Sequence, residues 1–302
     1  MDLKSKIILI SGPTASGKSK FALKLAKKIK GEIINADSMQ VYKDLRILTA
    51  RPIKKEYKKI KHHLYGFQSV KNKFSAGKWL KLANEKIVLI KKRKKIPILV
   101  GGTGLYFKAL TDGLVKIPNI PSKFRNKIRN IQKKIGQRKF YKQLLKLDPL
   151  IKDEINPTDV QRSIRAFEIK SFTKKSLFDW FKNTKSKYTD EEFIKIYIDF
   201  PREDLLTKIS TRVDKMFKEG AIEEVKKFLK LKLRKDNSAN KVIGINEIND
   251  FLNKRYDLKE AKEKITIKTR QYAKRQSTWA RGQMMNWQKV NPKDLKNILK
   301  KI

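Results

Sequence analysis

Residues 7–19 read Ile7-Ile8-Leu9-Ile10-Ser11-Gly12-Pro13-Thr14-Ala15-Ser16-Gly17-Lys18-Ser19. A short apolar run of this kind is a strand covered on both faces. The octet Gly12–Ser19 fits the G-x-x-x-x-G-K-[ST] pattern in full, after that strand and at the start of a helix. Glycines let backbone N–H groups converge on phosphate oxygens, and the helix N-terminus adds a favourable field. Lys18 supplies a point charge, and Ser19 carries the hydroxyl expected to ligate Mg²⁺. This stretch therefore predicts a site for a di- or triphosphate.

Working outward, Phe21, Leu25 and Ile29 recur at helical spacing until Gly31, and Glu32–Asn35 follows as a second strand. Ser75 caps a helix through Trp79, Leu82, Ile87 and Ile90, and Ile96–Val100 is a third buried strand, leading into Gly101-Gly102-Thr103-Gly104. Alternating strands and helices predict the α/β class: a P-loop NTPase-like parallel sheet core. From Pro118 and Pro121 the pattern turns helical, with stretches at Phe124–Ile135, Gln137–Leu147 and Asp159–Ser171, before a strand returns at Ile194–Ile198. The expected organisation is a catalytic core from residues 1–118 and 190–302 with a helical insertion over 119–189. The C-terminal third reads as helices, including a basic one from Asp257 to Met285 and a final one over Pro292–Ile302.

Composition narrows the chemistry. The formal net charge is +45 over 302 residues, which predicts attraction to a polyanion, nucleic acid first and an anionic membrane surface second. Much of that excess is Lys spread over the whole chain, so clustered residues must carry the inference. There is no Cys and only two His, which excludes disulfides, thiol catalysis and Cys-ligated zinc, and argues against a histidine-rich metal centre. No run approaches the ~20 apolar residues of a membrane span. A soluble cytoplasmic protein is expected.

A phosphate cradle alone names no reaction. At the end of the second strand the chain reads Asn35-Ala36-Asp37-Ser38-Met39-Gln40-Val41-Tyr42. Asp37 falls at the carboxyl edge of the sheet, where it could hold metal, accept a proton from a nucleophile, or simply cap a turn. Met39 and Gln40 could be packing and surface residues, or Gln40 could bond a base edge.

The series of motifs resembles the tRNA dimethylallyltransferase (tRNA isopentenyltransferase, IPP transferase) family. The resemblance runs from Gly12–Ser19 and Asn35–Tyr42 through Thr49-Ala50-Arg51-Pro52, His62-His63-Leu64, Phe74-Ser75-Ala76-Gly77 and Gly101–Tyr106. It continues through Asp159-Val160-Gln161-Arg162, Arg165-Ala166, Gly220, Glu223-Glu224-Val225 and Ile243-Gly244 to Thr269–Gln276, Trp279 and Arg281. It thus covers nearly the whole chain. It implies transfer of a dimethylallyl group from dimethylallyl diphosphate to the N6 amine of the adenosine 3′ of the anticodon in tRNA, with Mg²⁺ assisting. The leaving pyrophosphate would be gripped by Gly12, Pro13, Thr14, Ala15, Ser16, Gly17, Lys18 and Ser19, with Asp37 as base and Thr103 and Arg212 at the reaction centre. The family usually shows Arg where this chain has Lys208, so Arg212 is favoured as the phosphate ligand and Lys208 is left open.

On the tRNA side the resemblance places Asp37, Ser38, Met39 and Gln40 around an extruded adenosine. It places Thr103, Arg125 and the helix start Gln161, Arg162, Ser163, Ile164 and Arg165 against the anticodon stem-loop. Arg270, Lys274 and Arg275, with Lys268, Trp279 and Arg281, form a basic helix with an aromatic, suited to an RNA backbone. A monomer is expected. Ile245-Asn246-Glu247 departs from the family, which commonly has an aromatic before the Glu. Two other readings compete: a small-molecule P-loop kinase, and a basic RNA-binding protein with a regulatory nucleotide site.

Overall fold

The run at residues 7–11 lies at the centre of a six-stranded parallel sheet. A computed structural model describes residues 3, 5–57, 59–182, 184–234, 236–295 and 297–298. The chain divides into two compact units, Met1–Thr111 with Tyr188–Ile302, and Asp112–Lys187.

In the first unit the order is β1 (Ile7–Ser11), α1 (Lys18–Lys28), β2 (Glu32–Asn35), α2 (Lys54–Tyr57), β3 (His62–His63), α3 (Ala76–Lys92), β4 (Pro97–Gly101) and α4 (Gly104–Thr111). The second unit holds α5 (Ser122–Leu147), α6 (Val160–Thr173) and α7 (Leu177–Lys182). The first unit resumes with β5 (Phe193–Ile198), α8 (Arg202–Lys218), α9 (Ala221–Leu229), α10 (Ile245–Leu252), α11 (Leu258–Gln283) and β6 (Gln288–Val290). The sheet order is β3-β2-β4-β1-β5-β6. β1 pairs in parallel with β4 (Leu9 opposite Leu99) and with β5 (Leu9 opposite Lys195).

Both faces of β1 are covered, which is why its sequence is apolar throughout. Ile8 and Ile10 pack with Phe21, Ala22 and Leu25 of α1. Ile7 and Leu9 pack on the other side with Trp79, Ala83 and Ile87 of α3 and Phe107 of α4. Ser75 caps α3, accepting from the Lys78 N–H at 3.3 Å. Asp257 and Glu260 form a reciprocal capping box at the start of α11, which carries that helix past the loops that build the site.

The edge strands β3 and β6 escape sequence reading because they are two and three residues long and carry no apolar run. The stretches Phe124–Ile135 and Gln137–Leu147 are two helical segments of α5 that meet at Gly136, whose φ of 76° and ψ of 164° suit glycine alone. The expected last helix begins as a single 3₁₀ turn at Pro292–Asp294, and residues 296 and 299–302 of it lie outside the described residues. Within the second unit, Tyr141, Leu144, Ile151, Ile155 and Ala166 form one apolar cluster, and Ile128, Phe140 and Ile164 another.

Candidate active site

The P-loop follows β1 without a break. Gly17 adopts φ 81° as the residue before α1, and no side chain caps that helix, so its first N–H groups are left for an anion. Lys18 folds back over the loop and donates to the Pro13 carbonyl at 3.0 Å. Arg212 reaches in from α8 and donates to the Thr14 hydroxyl at 2.8 Å. Burial pushes the Lys18 ammonium down to about 8; Asp37 opposes that shift and Arg212 adds to it. Burial likewise lowers Arg212, against the pull of Asp37. Two cations crowded into partial burial are poised for an anionic ligand, which would relieve both.

Asp37 sits on a turn fixed from beneath. The fully buried Asn35 side chain accepts from the Asp37 N–H at 2.9 Å and donates to the carbonyls of Asp37 and Leu64, both at 3.0 Å. The Trp79 indole donates to the Asn35 carbonyl at 2.8 Å. Asp37 Oδ1 accepts from the N–H groups of Met39 (2.9 Å) and Gln40 (3.3 Å). Asp37 therefore does cap a turn with one oxygen, and that cap aims its carboxylate into the cavity it shares with Thr14 and Arg212.

The Gly-Gly-Thr-Gly turn after β4 closes against this one. A Cβ on Gly101 would lie 2.1 Å from the Ala36 carbonyl group, so only glycine admits that approach. The Thr103 N–H donates to the Ala36 carbonyl at 3.2 Å, and the Thr103 hydroxyl accepts from the Ser38 N–H at 2.9 Å. Gln276 of α11 spans the gap to the P-loop, accepting from the Thr14 N–H at 2.8 Å and donating to the Gly102 carbonyl at 2.9 Å. Trp279 fills the space beside Gly104, where a Cβ would fall 2.3 Å from its ring.

Two cavities meet at this assembly. One, of about 270 Å³, is lined by Gly102, Thr103, Tyr197, Gln276, Trp279 and Met284, among others. The other, of about 280 Å³, is lined by Thr14, Asp37, Met39, Arg212, Tyr272 and Arg275, among others. Tyr272 and Arg275 border both. Burial first, then the charge of Asp37, raises the Tyr272 phenol and keeps it protonated.

The chain has relatives among known proteins. A sequence model described as IPP transferase matches residues 40–283. The chain is 64% identical, over all its length and 96% of the relative's, to a tRNA dimethylallyltransferase of Pelagibacter ubique. It is 45% identical over 94% of its length to one of Rickettsia massiliae, covering 78% of that protein. The chain belongs to the IPP transferase family.

Solved structures agree with that placement of the fold. A full-length tRNA isopentenylpyrophosphate transferase of Bacillus halodurans matches with a TM-score of 0.70 at 32% identity, over 98% of this chain and 95% of that one. A eukaryotic dimethylallyltransferase described as acting on tRNA matches with a TM-score of 0.82 at 30% identity, over 96% of this chain and 75% of that one.

Other residues singled out in the sequence are placed less centrally. Lys208 lies over the Phe200 ring, 4.0 Å from its centroid. Arg270 and Lys274 face a third cavity, of about 640 Å³, with Arg202, Arg281 and Lys289, whereas Arg275 borders the first two. The Gln40 amide nitrogen donates to the carbonyls of Thr49 (2.9 Å) and Ala50 (3.3 Å) and so braces that loop. Glu224 anchors the same loop, accepting from the N–H groups of Arg46, Ile47 and Leu48 at 2.7–3.1 Å. Lys268 pairs with the buried Glu247.

Arg125 and Gln161–Arg165 belong to the helical unit. At the start of α6 Gln161 and Arg162 are exposed. Ser163 is fully buried, accepting from Gln137 at 3.1 Å, and Ile164 packs into the unit's core. Those two side chains face the interior of the unit, in line with the helical stripe through Val160, Ile164 and Phe167. Gln276 and Tyr272, by contrast, stand in the sequence only within the Thr269–Gln276 motif, and nothing in local sequence says that they border the site.

A metal's fit can be judged from the donors present. Among the described residues no three His, Asp or Glu cluster as a cation site. The Ser16 hydroxyl is buried without a hydrogen-bond partner, and Ser19 is exposed at the helix start. These groups suit a cation that shares its ligands with a bound diphosphate. Among the described residues no helix is long and apolar enough to cross a membrane.

Proposed function

We propose that this chain transfers a dimethylallyl group from dimethylallyl diphosphate to the N6 amine of the adenosine 3′-adjacent to the anticodon in tRNA, releasing pyrophosphate. The observation that carries this reading is a carboxylate, Asp37, facing the same cavity as a P-loop with two partly buried cations. The nitrogen lone pair forms the N–C1 bond, the C1–O bond breaks, and its electrons leave on the pyrophosphate. The proton shed by nitrogen passes to Asp37. An exocyclic aryl amine is a weak nucleophile, so a carboxylate within reach matters.

The P-loop amides, Lys18 and Arg212 meet the charge that develops on the leaving oxygen. The Ser19 hydroxyl would help hold Mg²⁺, which would supply further positive charge there. Apolar side chains of Leu105, Trp279, Ala280 and Met284 beside Thr103 offer contact to a five-carbon chain. The helical unit, through Arg125, Arg162 and Arg165, and α11, through Arg270, Lys274 and Arg275, supply charge for the anticodon stem-loop, and Gln161 supplies an amide.

Pyrophosphate release tests this reading. It is expected to require tRNA and to match the prenylated adenosine found after nucleoside digestion, mole for mole. Release without tRNA at the same rate, or none with it, would overturn it.

A further inference from the structure

We infer that Gln276 is a positioning residue that sets the spacing between the diphosphate cradle and the base. A single hydrogen-bonded path joins the two ends. It runs from the Thr14 N–H to Gln276 Oε1 (2.8 Å), and from Gln276 Nε2 to the Gly102 carbonyl (2.9 Å). It continues from Thr103 to the Ala36 carbonyl (3.2 Å) and to the Ser38 N–H (2.9 Å), and so to both sides of Asp37. Every other link in this path is backbone or Thr103; Gln276 is the one contribution from α11.

Three observations single the residue out. Its amide uses both ends at once, an acceptor toward one loop and a donor toward the other, which only an amide or a protonated acid of that length does. It takes the Thr14 N–H away from any phosphate, leaving Thr14 to act through the hydroxyl that Arg212 holds. The facing residue has no side chain: a Cβ on Gly102 would stand 2.2 Å from Gln276 Nε2. Because α11 also carries Tyr272 and Arg275 on the cavity walls, Gln276 also fixes that helix against the reacting groups. In-line displacement is sensitive to such spacing, a 1 Å misplacement costing roughly 10²-fold.

The inference rests on the prenyl-transfer reading. Single-turnover transfer with saturating donor and tRNA is compared for the wild type, Gln276→Leu and Gln276→Glu, alongside tRNA affinity and thermal melting. Gln276→Leu is expected to slow the step roughly 10²-fold with tRNA affinity unchanged. Gln276→Glu restores both bonds only when protonated, so its rate relative to wild type at each pH is expected to climb as the pH falls. That ratio decides the matter even if the Leu variant does not fold. A ratio flat with pH, or wild-type rates in both variants, would overturn the inference. Absence of transfer by the wild type would instead overturn the prenyl-transfer reading.

Discussion

The P-loop and the start of α6 both present basic residues beside a helix N-terminus, but the two ends are finished differently. α1 begins at Gly17 with no side-chain cap, and its neighbours Lys18 and Arg212 are drawn down by burial. α6 begins at Asp159, whose carboxylate accepts from the Arg162 N–H at 2.9 Å and lies 3.5 Å from its guanidinium. The first end is open and electrically unsatisfied, so an anion completes it. The second is closed by its own carboxylate, so Arg162, 68% exposed, offers long-range attraction and little else. Net charge alone would rank the two alike; capping and desolvation separate them.

The sharpest way to break that contrast is Asp37→Asn. Asparagine keeps the acceptor that caps the turn but cannot take the proton. Turnover is expected to drop about 10²–10⁴-fold, the range for a lost general base, with the melting temperature and tRNA affinity held. Unchanged turnover would leave Asp37 as a turn cap only.

Glycines give the next test. Gly101→Ala forces a Cβ against the Ala36 backbone and is expected to cost about 3 kcal/mol or more, since neither wall is a flexible side chain. Gly136→Ala in the helical unit meets no atom within 4 Å and is expected to cost about 1–3 kcal/mol through its backbone angles alone. Chemical denaturation of both variants measures the difference, and equal losses would contradict the packing difference between the two positions.

These contrasts also explain what the sequence reveals. β1, the P-loop and the turn bearing Asp37 are legible because each residue there is constrained locally, by apolar run, by glycine or by a required functional group. The edge strands β3 and β6 are defined by pairing with β2 and β5, which no local pattern records. Gln276 lies 262 residues from Thr14 in sequence, and Lys208 is decided by a ring that happens to sit beside it. Gln40 reads equally as a packing or surface residue or as a base contact, and its bond to the Thr49 carbonyl comes from a loop nine residues on. Each of these contacts is set by long-range geometry, not by residue type.

Acidity supplies a gentler test. With its ammonium lowered to about 8, Lys18 in the free enzyme loses its charge as the pH rises through that value. Donor kcat/KM is therefore expected to fall about tenfold from one pH unit below to one above, since that parameter follows the free enzyme. Lys18→Arg should flatten this limb; a profile unchanged in that variant would assign the limb to another group.

The smallest effect is expected at the closed helix end. Arg162→Ala should weaken tRNA binding slightly and lower the salt slope by about 1, leaving donor affinity alone. A loss of donor affinity would mean that Arg162 acts on the cradle itself.

The central claim is that the P-loop grips the pyrophosphate of an isoprenoid donor, and one incubation addresses it. The protein, Mg²⁺, unmodified tRNA and dimethylallyl diphosphate labelled in its carbon chain are combined, with ATP supplied in a parallel reaction. Label is expected on the adenosine 3′ of the anticodon, with no phosphate transferred from ATP. Unlabelled tRNA together with phosphoryl transfer from ATP to a small acceptor would contradict it and make this P-loop a kinase site.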